Sequence, residues 1–273
     1  MSLSRPSARR RWALRAGVAV LGLMAAGCSG APGPAAPARP LTQQVADGRF
    51  TVTFSAAALQ AARGAGINLP AVVSRALERI SPLLPGPATT IAVALGPPGT
   101  VIPQTGANGY TGPAGQVTVS FRPTPQASLQ TAVEVSLPRA LSHEVDHSVR
   151  ILAGPEFGTT LLTQIITEGI SSVFDEAAFP GPPDPWDRAI SPSQECVLWN
   201  RAELDLGDAG MYDLWMFGSP GVIPHWTGFT IGYDIVKDYR DRHPQVSWSA
   251  LTAASAAAIL AGSGYRPCAV TAR

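Results

Sequence analysis

The amino-acid sequence changes its periodicity about halfway along, and this change constrains the fold more than any other feature. In the first half, residues 49–55 and 116–122 alternate polar and apolar side chains, as half-buried strands do. Residues 89–95 form an apolar run that indicates a buried strand, and residues 70–84 have helical spacing after a proline. The Gly- and Pro-rich residues 96–115 predict a long loop.

The second half of the chain has helical spacing. The pattern predicts helices over 138–153, 158–178, 194–206, 228–241 and 247–261. Strands that are followed by helices are typical of the α+β class. We therefore expect an α+β fold, with a small N-terminal β-sheet and one helix followed by a mainly helical C-terminal part.

The first 27 residues have the three parts of a secretory signal peptide. Residues 1–15 are basic, residues 16–26 form an apolar run, and small residues precede Cys28. The run is too short to span a bilayer, which takes about 20 residues. A membrane-spanning anchor or a buried helix is the alternative.

The sequence MAAGC, which ends at Cys28, resembles the lipobox of bacterial lipoproteins. The resemblance implies that Cys28 is lipidated and anchors an exported protein to the cell membrane. The alternative is a free cysteine after an ordinary cleavage site. Residues 28–45, in which prolines are spaced by Ala and Gly, predict an extended tether, so the folded domain is expected to span 46–273.

Charge and cysteine content narrow the class of protein further. Residues 1–27 carry five arginines and no acid, so the net charge of +1 for the whole chain becomes −4 without them. A mildly acidic remainder without a basic stripe argues against nucleic-acid binding. Cys196 and Cys268 favour one disulfide in an exported protein, although two unrelated buried thiols are the alternative.

The predicted helix 138–153 carries the sequence HEVDH at residues 143–147, which is an H-E-x-x-H pattern. Residues four apart share one face of a helix, so His143 and His147 can reach one metal ion. Glu144 lies beside them, where it can act as general base on a water that zinc activates. A surface helix with two solvated histidines is the alternative, and the apolar residues around the pattern favour burial.

A catalytic zinc site takes three protein ligands, and the third must come from another segment. Glu168 lies on the next predicted helix and is flanked by three isoleucines. A carboxylate on a mostly buried helix needs a partner, although a surface glutamate at the helix edge is the alternative. We predict that His143, His147 and Glu168 bind one zinc ion per chain.

Three blocks of this sequence resemble a family of predicted zinc-dependent proteases that share the domain DUF2268. The blocks are SHEVDHSVR at 142–150, ITEGI at 166–170 and WTGFTIGY at 226–233, and the resemblance covers roughly residues 110–262. It implies a zincin-like fold and a metallopeptidase of the gluzincin type. It also implies the ligand and base roles given above for the two histidines and two glutamates.

The resemblance adds candidates around the metal. Many gluzincins carry an acid four residues after the ligand glutamate, but Ser172 stands there, so Asp175 is the candidate to orient a histidine. Tyr212, His225 and Tyr233 are the candidates to stabilise the oxyanion. Likeness to zincins also makes the strand at 116–122 the candidate edge for an extended peptide substrate.

These features together predict a zinc-dependent hydrolase, a peptidase that cleaves peptide or protein substrates outside the cytoplasm. Two alternatives stay open. One is a zinc hydrolase that acts on a non-peptide component of the cell envelope. The other is an inactive zinc-binding surface lipoprotein that binds a partner, and Glu144 argues against it because a purely structural zinc site has no use for a base.

Overall fold

The structure is a computed structural model that describes residues 39–153 and 158–268. The predicted signal peptide and Cys28 lie outside the described residues. Within the described part, a five-stranded sheet is followed by a mainly helical region, which confirms the α+β class. No helix in this part is long and apolar enough to cross a membrane.

The sheet is mixed, and its strand order is β1-β2-β3-β5-β4. Strand β3 runs parallel to both β2 and β5, whereas the β1–β2 and β5–β4 pairs are antiparallel. The strands are β1 (Leu41–Val45), β2 (Phe50–Phe54), β3 (Thr89–Leu95), β4 (Ala107–Thr111) and β5 (Val117–Phe121). The sheet therefore has β1 and β4 as its two edges.

Two helices lie among the strands, and the others follow the sheet. The helices are α1 (Ala56–Gly64), α2 (Leu69–Leu83), α3 (Leu129–Thr131), α4 (Leu137–Ala153), α5 (Leu161–Ala178), α6 (Pro192–Asp205), α7 (Tyr212–Phe217), α8 (Thr227–Arg242), α9 (Trp248–Thr252) and α10 (Ala256–Ser263). A π-helical segment, Ala132–Ser136, joins α3 to α4. A disulfide joins Cys196 of α6 to Cys268, which is the pairing that the sequence favours.

The structure corrects four expectations from the sequence. Residues 41–45 form β1 and not part of the tether, so the folded domain begins before residue 46. Strand β4 lies inside the predicted loop 96–115, α1 adds a second helix to the sheet region, and the predicted helix 247–261 is broken into α9 and α10. Both missed strands are edge strands, which form because a neighbouring strand supplies their hydrogen bonds.

Helix α4 lies between the sheet and the helical region, because it packs against β4 and β5 on one side and α5 on the other. The residues that face the sheet are spaced by four along α4 and belong to one buried apolar cluster. They are Leu137, Leu141, Val145 and Val149. This spacing leaves His143 and His147 on a different flank of the same helix.

Helices α5 and α8 pack so closely that their backbones touch. A Cβ atom on Gly169 of α5 would lie 2.1 Å from the carbonyl oxygen of Gly232 on α8. A Cβ atom on Gly232 would lie 2.1 Å from the carbonyl oxygen of Ile165. Only glycine permits this approach, and it fixes the position of the residue before Gly169, which is Glu168.

Candidate metal centre

Three of the sequence-predicted site residues meet between α4 and α5. The Glu168 Oε2 atom lies 3.1 Å from His143 Nε2 and 3.3 Å from His147 Nε2. One ligand atom from each of the three residues lies within 4.8 Å of the other two. All three side chains are largely buried, so the donor atoms are held in place by packing rather than free in solvent.

The donor set and its spacing fit zinc. Zinc takes imidazole nitrogens and carboxylate oxygens at about 2.0–2.2 Å in a tetrahedral arrangement, so neighbouring donor atoms lie about 3.3 Å apart. The two distances from Glu168 match that spacing. The described residues supply three donors, and a zinc ion with three protein donors keeps a fourth position for water, which is the arrangement of catalytic zinc sites and not of structural ones.

The charges of the site also suit a cation. Burial raises the pKa of Glu168, but the nearby charge of His147 and hydrogen bonds from both histidines outweigh it and hold the pKa well below its usual range. Burial lowers the pKa of His143, but Asp175 and Glu168 outweigh it and raise the pKa well above its usual value. Without metal, the site therefore keeps a proton on His143 beside an ionised carboxylate.

A chain of hydrogen bonds lies behind His147. Its Nδ1 atom is 3.1 Å from Ser171 Oγ, and that hydroxyl donates to Asp146 Oδ2 at 2.8 Å. The other oxygen of Asp146 accepts from Thr252 Oγ1 at 2.6 Å. Because Ser171 gives its only proton to Asp146, it accepts the Nδ1 proton of His147. Once a metal displaces the proton on Nε2, this hydrogen bond at Nδ1 fixes the tautomer that presents the Nε2 lone pair to the ion.

A second acidic group lies behind His143. Asp175 Oδ2 is 3.7 Å from His143 Nδ1, an ion-pair distance that is too long for a hydrogen bond. Arg139 holds this carboxylate by donating to Asp175 Oδ1 at 3.0 and 2.6 Å and also contacts Asp184 Oδ2 at 3.0 Å. Asp175 thus faces a histidine as expected, whereas Ser172 accepts a hydrogen bond from Trp186.

Glu144 is buried beside the ligands under the edge strand β4. Its Oε2 atom accepts a hydrogen bond from Thr111 Oγ1 at 2.6 Å, and the same hydroxyl lies 2.9 Å from the Glu144 carbonyl oxygen. Gly109 passes directly over the side chain, since a Cβ atom there would lie 2.4 Å from Glu144 Oε1. A glycine at this point lets the strand approach the carboxylate.

The edge strand beside the site is β4, so the expectation that residues 116–122 form the edge is wrong. Those residues form β5, which is paired with β3 on one side and β4 on the other. Gly112 N–H donates to Gln116 and Arg122 N–H donates to Gly106, so even-numbered residues of β4 bond to β5. Odd-numbered residues, including Gly109, direct their backbone groups to the open side.

A cavity of about 670 Å³ opens over the site. His143, Glu144, His147 and Glu168 line it, together with β4, Tyr212 and His225. Burial and the charges of Glu168, Asp213 and Glu144 raise the pKa of Tyr212, so its hydroxyl stays protonated. The third oxyanion candidate, Tyr233, is buried outside the described lining and donates its hydroxyl to Glu176.

The sequence patterns did not indicate several residues that lie around the site. Thr111 and Gly109 lie in a segment that reads as a loop, and Ser171 carries no local signal at all. Of these surroundings, the sequence could have indicated only the hydrogen-bonded chain at Asp146, because an acid inside an otherwise buried helix needs a partner.

A family model described as "Predicted Zn-dependent protease (DUF2268)" matches residues 69–261 of the chain. The matched segment includes all three candidate ligands, Glu144 and the edge strand β4. No curated protein and no solved structure matches the chain.

Proposed function

Because the chain belongs to the DUF2268 family of predicted Zn-dependent proteases, we propose that it is a metallopeptidase that cleaves peptide bonds in substrates outside the cytoplasm. One observation carries this proposal: three zinc-type donor atoms lie within 4.8 Å of one another, beside a carboxylate that is not one of them. A structural zinc site has four protein ligands and needs no such carboxylate.

His143, His147 and Glu168 would hold one zinc ion, which supplies a Lewis acid that lowers the pKa of water and polarises the substrate carbonyl. Glu144 is the general base. Thr111 occupies its Oε2 atom, which leaves Oε1 to accept a proton from the attacking water as the new C–O bond forms. Glu144 then gives that proton to the amide nitrogen as the C–N bond breaks, and the products are a carboxylic acid and an amine.

Tyr212 is the proposed donor to the oxyanion. It lines the cavity beside the base and the ligands, and its raised pKa keeps the proton that a donor needs. His225 lines the same cavity but is exposed at its outer part. Tyr233 is not proposed again, because its hydroxyl bonds to Glu176.

The substrate is proposed to lie along β4 as an added strand. The outward backbone groups of Gly109 and Thr111 are available for main-chain hydrogen bonds, which is how extended peptides bind to a sheet edge. A peptide bound there passes over Glu144, because Gly109 lies against that side chain. The proposed partners are therefore peptides or proteins, and no nucleic acid.

The cellular location rests on the sequence alone. The signal-peptide pattern of residues 1–27 and the lipobox that ends at Cys28 support export and attachment to the cell membrane through a lipidated N-terminal cysteine. An extended tether that ends before β1 would then hold the catalytic domain away from the bilayer.

The decisive experiment measures zinc content and peptide cleavage in the same preparation. Purified protein is analysed for metal, then incubated with a mixed peptide library before and after chelation and after zinc is restored. We expect about one zinc per chain, cleavage that chelation abolishes, and recovery with zinc. A folded protein that stays metal-free in zinc-containing buffer, or a zinc-loaded protein that cleaves nothing, would contradict the proposal.

A further inference from the structure

Five aromatic rings form a continuous series on one wall of the cavity, and we call it the aromatic arc. Its neighbouring rings lie 4.5 to 6.3 Å apart between centroids, and all four contacts between neighbours are edge-to-face or tilted pairs. All five rings line the same cavity as the candidate zinc ligands. The members are Tyr212, Phe217, His225, Trp226 and Trp186.

These rings are less buried than the side chains of a hydrophobic core. Phe217 is 48% exposed, His225 is exposed, and Trp186 and Trp226 are only partly buried. Exposed apolar surface of this extent beside a polar site is characteristic of ligand-binding grooves. Because the rings share one cavity with Glu144 and the candidate zinc ligands, a substrate seated at the metal centre can extend over them.

Trp226 adopts a backbone conformation that disfavours any residue with a side chain. Its φ of 65° and ψ of 15° are left-handed, immediately before the first residue of α8. The conformation is held from both sides, because Trp226 N–H donates to the Met216 carbonyl at 3.0 Å and its own carbonyl accepts from Thr230 N–H at 3.2 Å. Glycine would fit here without strain, so a tryptophan indicates that its ring has a use.

Apart from Glu144, the charged groups of the cavity are already paired with one another. Arg139 contacts both Asp175 and Asp184, and Glu168 lies between the two ligand histidines. A charged substrate side chain would compete with these pairs, whereas an apolar one would cover the exposed rings. The aromatic arc is therefore the aromatic part of the lining that an apolar substrate side chain can cover.

We infer that the aromatic arc selects substrates with a large apolar or aromatic residue next to the cleaved bond. The inference rests on the proposed peptidase function and adds its substrate class. An extended peptide on β4 presents alternate side chains to opposite sides, so one of them points into the cavity while the backbone lies over Glu144. Trp226 is the specificity-determining residue in this arrangement, since its ring contacts both Trp186 and His225.

The test uses blocked alanine pentapeptides whose central residue is Phe, Leu, Ala, Lys or Asp. For the zinc-loaded protein, we expect kcat/KM for the Phe and Leu peptides to exceed that for Ala by about 10- to 100-fold, the usual discrimination of an apolar pocket. We expect Lys and Asp peptides to be cleaved no better than Ala. Equal rates for all five peptides would overturn the inference and leave the peptidase function standing.

Trp226→Gly is the sharpest variant, because glycine accepts the left-handed backbone and only the ring is lost. We expect the Phe-to-Ala ratio of kcat/KM to fall to about 3 or less, as expected when an apolar contact is removed. Asp47→Gly is the matched control: Asp47 also has a positive φ, of 54°, but lies in the β1–β2 turn outside the cavity lining. It should keep the wild-type ratio, and an unchanged ratio in Trp226→Gly contradicts the inference.

A binding measurement separates the inference from the proposed function. Zinc-loaded Glu144→Gln is titrated with the Phe and Ala peptides, and Trp226→Gly is introduced into the same background. Tighter binding of the Phe peptide that depends on Trp226 supports the inference, even where wild-type protein cleaves nothing and the peptidase proposal fails. No binding and no cleavage of any peptide would overturn both.

Discussion

The hydroxyl of Thr111 lies 2.6 Å from Glu144 Oε2, and this contact joins the open edge of the sheet to the proposed catalytic base. The two residues are far apart in sequence and come from different elements, β4 and α4. In the proposed function, a strand that both holds the base and offers its outer backbone groups to a substrate would couple peptide binding to the orientation of Glu144.

Removal of the Thr111 hydroxyl should slow turnover without loss of zinc. Thr111→Val keeps the shape of the side chain but cannot donate to Glu144, so we expect kcat to fall about 10-fold, the worth of a hydrogen bond to a charged group. Zinc content, by elemental analysis, should stay at the wild-type value. Thr111→Ser restores the donor and should restore most of kcat, whereas equal losses in both variants would show that only packing matters.

Glu144→Gln should separate catalysis from metal binding. Glutamine has the size of glutamate but cannot accept the proton of water, so turnover should fall by a factor on the order of 100 to 10,000. Zinc content and thermal stability should stay near wild type, because Glu144 is not in the ligand cluster. His143→Ala is the contrasting variant and should lose zinc together with activity. Loss of zinc from Glu144→Gln would show that Glu144 is itself a ligand.

Ser171→Ala should weaken zinc binding through His147. The substitution removes the acceptor for the Nδ1 proton and a donor to Asp146, so His147 is no longer fixed in the metal-binding tautomer. We expect the Kd for zinc, measured against a competing chelator, to rise about 10- to 100-fold. Ser172→Ala is the neighbouring control on α5, since Ser172 contacts Trp186 instead. Equal Kd values for wild type and Ser171→Ala would contradict the role of this hydrogen bond.

Gly169→Ala should force α5 and α8 apart. The new methyl group would lie 2.1 Å from a backbone oxygen of Gly232, and overpacking of this kind typically costs about 1–3 kcal/mol. Because Glu168 precedes Gly169, zinc affinity should fall as well. Gly64→Ala, at the last position of α1, is the control: nothing lies within 4 Å of its Cβ position, so it should not lower the free energy of unfolding. Unfolding by denaturant measures the change in the free energy of unfolding in both variants.

The buried carboxyl of Asp187 should make stability depend on pH. Burial and the charges of Asp175 and Asp184 raise its pKa from 3.8 to about 8. The folded protein keeps this proton where the unfolded chain releases it, so the stabilising contribution is present below pH 3.8 and is lost as pH rises through about 8. Asp187→Asn has no proton to lose, and its unfolding midpoint should fall less than that of wild type between about pH 5 and pH 9. If the unfolding midpoints of wild type and Asp187→Asn changed equally with pH, the raised pKa of Asp187 would be contradicted.

The cluster that could hold a metal was predictable from the sequence because it depends on local spacing. Two histidines four residues apart share a helix face, whatever the rest of the chain does. Glu168 stood out because a carboxylate among isoleucines on a buried helix needs a partner. The same periodicities gave three of the five strands and placed most of the longer helices, since alternation and helical spacing are properties of single segments.

Only the tertiary structure decided what surrounds the ligands. Strands β1 and β4 exist because neighbouring strands supply their hydrogen bonds, and Gly109 within β4 gives no strand signal of its own. The bond from Thr252 to Asp146 joins residues 106 positions apart, and the contact of Gly169 with Gly232 likewise depends on how two helices pack. The sequence by itself determined which residues form the candidate metal-binding cluster. Long-range packing decided which hydroxyls, edges and rings lie around them, because such contacts depend on partners that no single segment encodes.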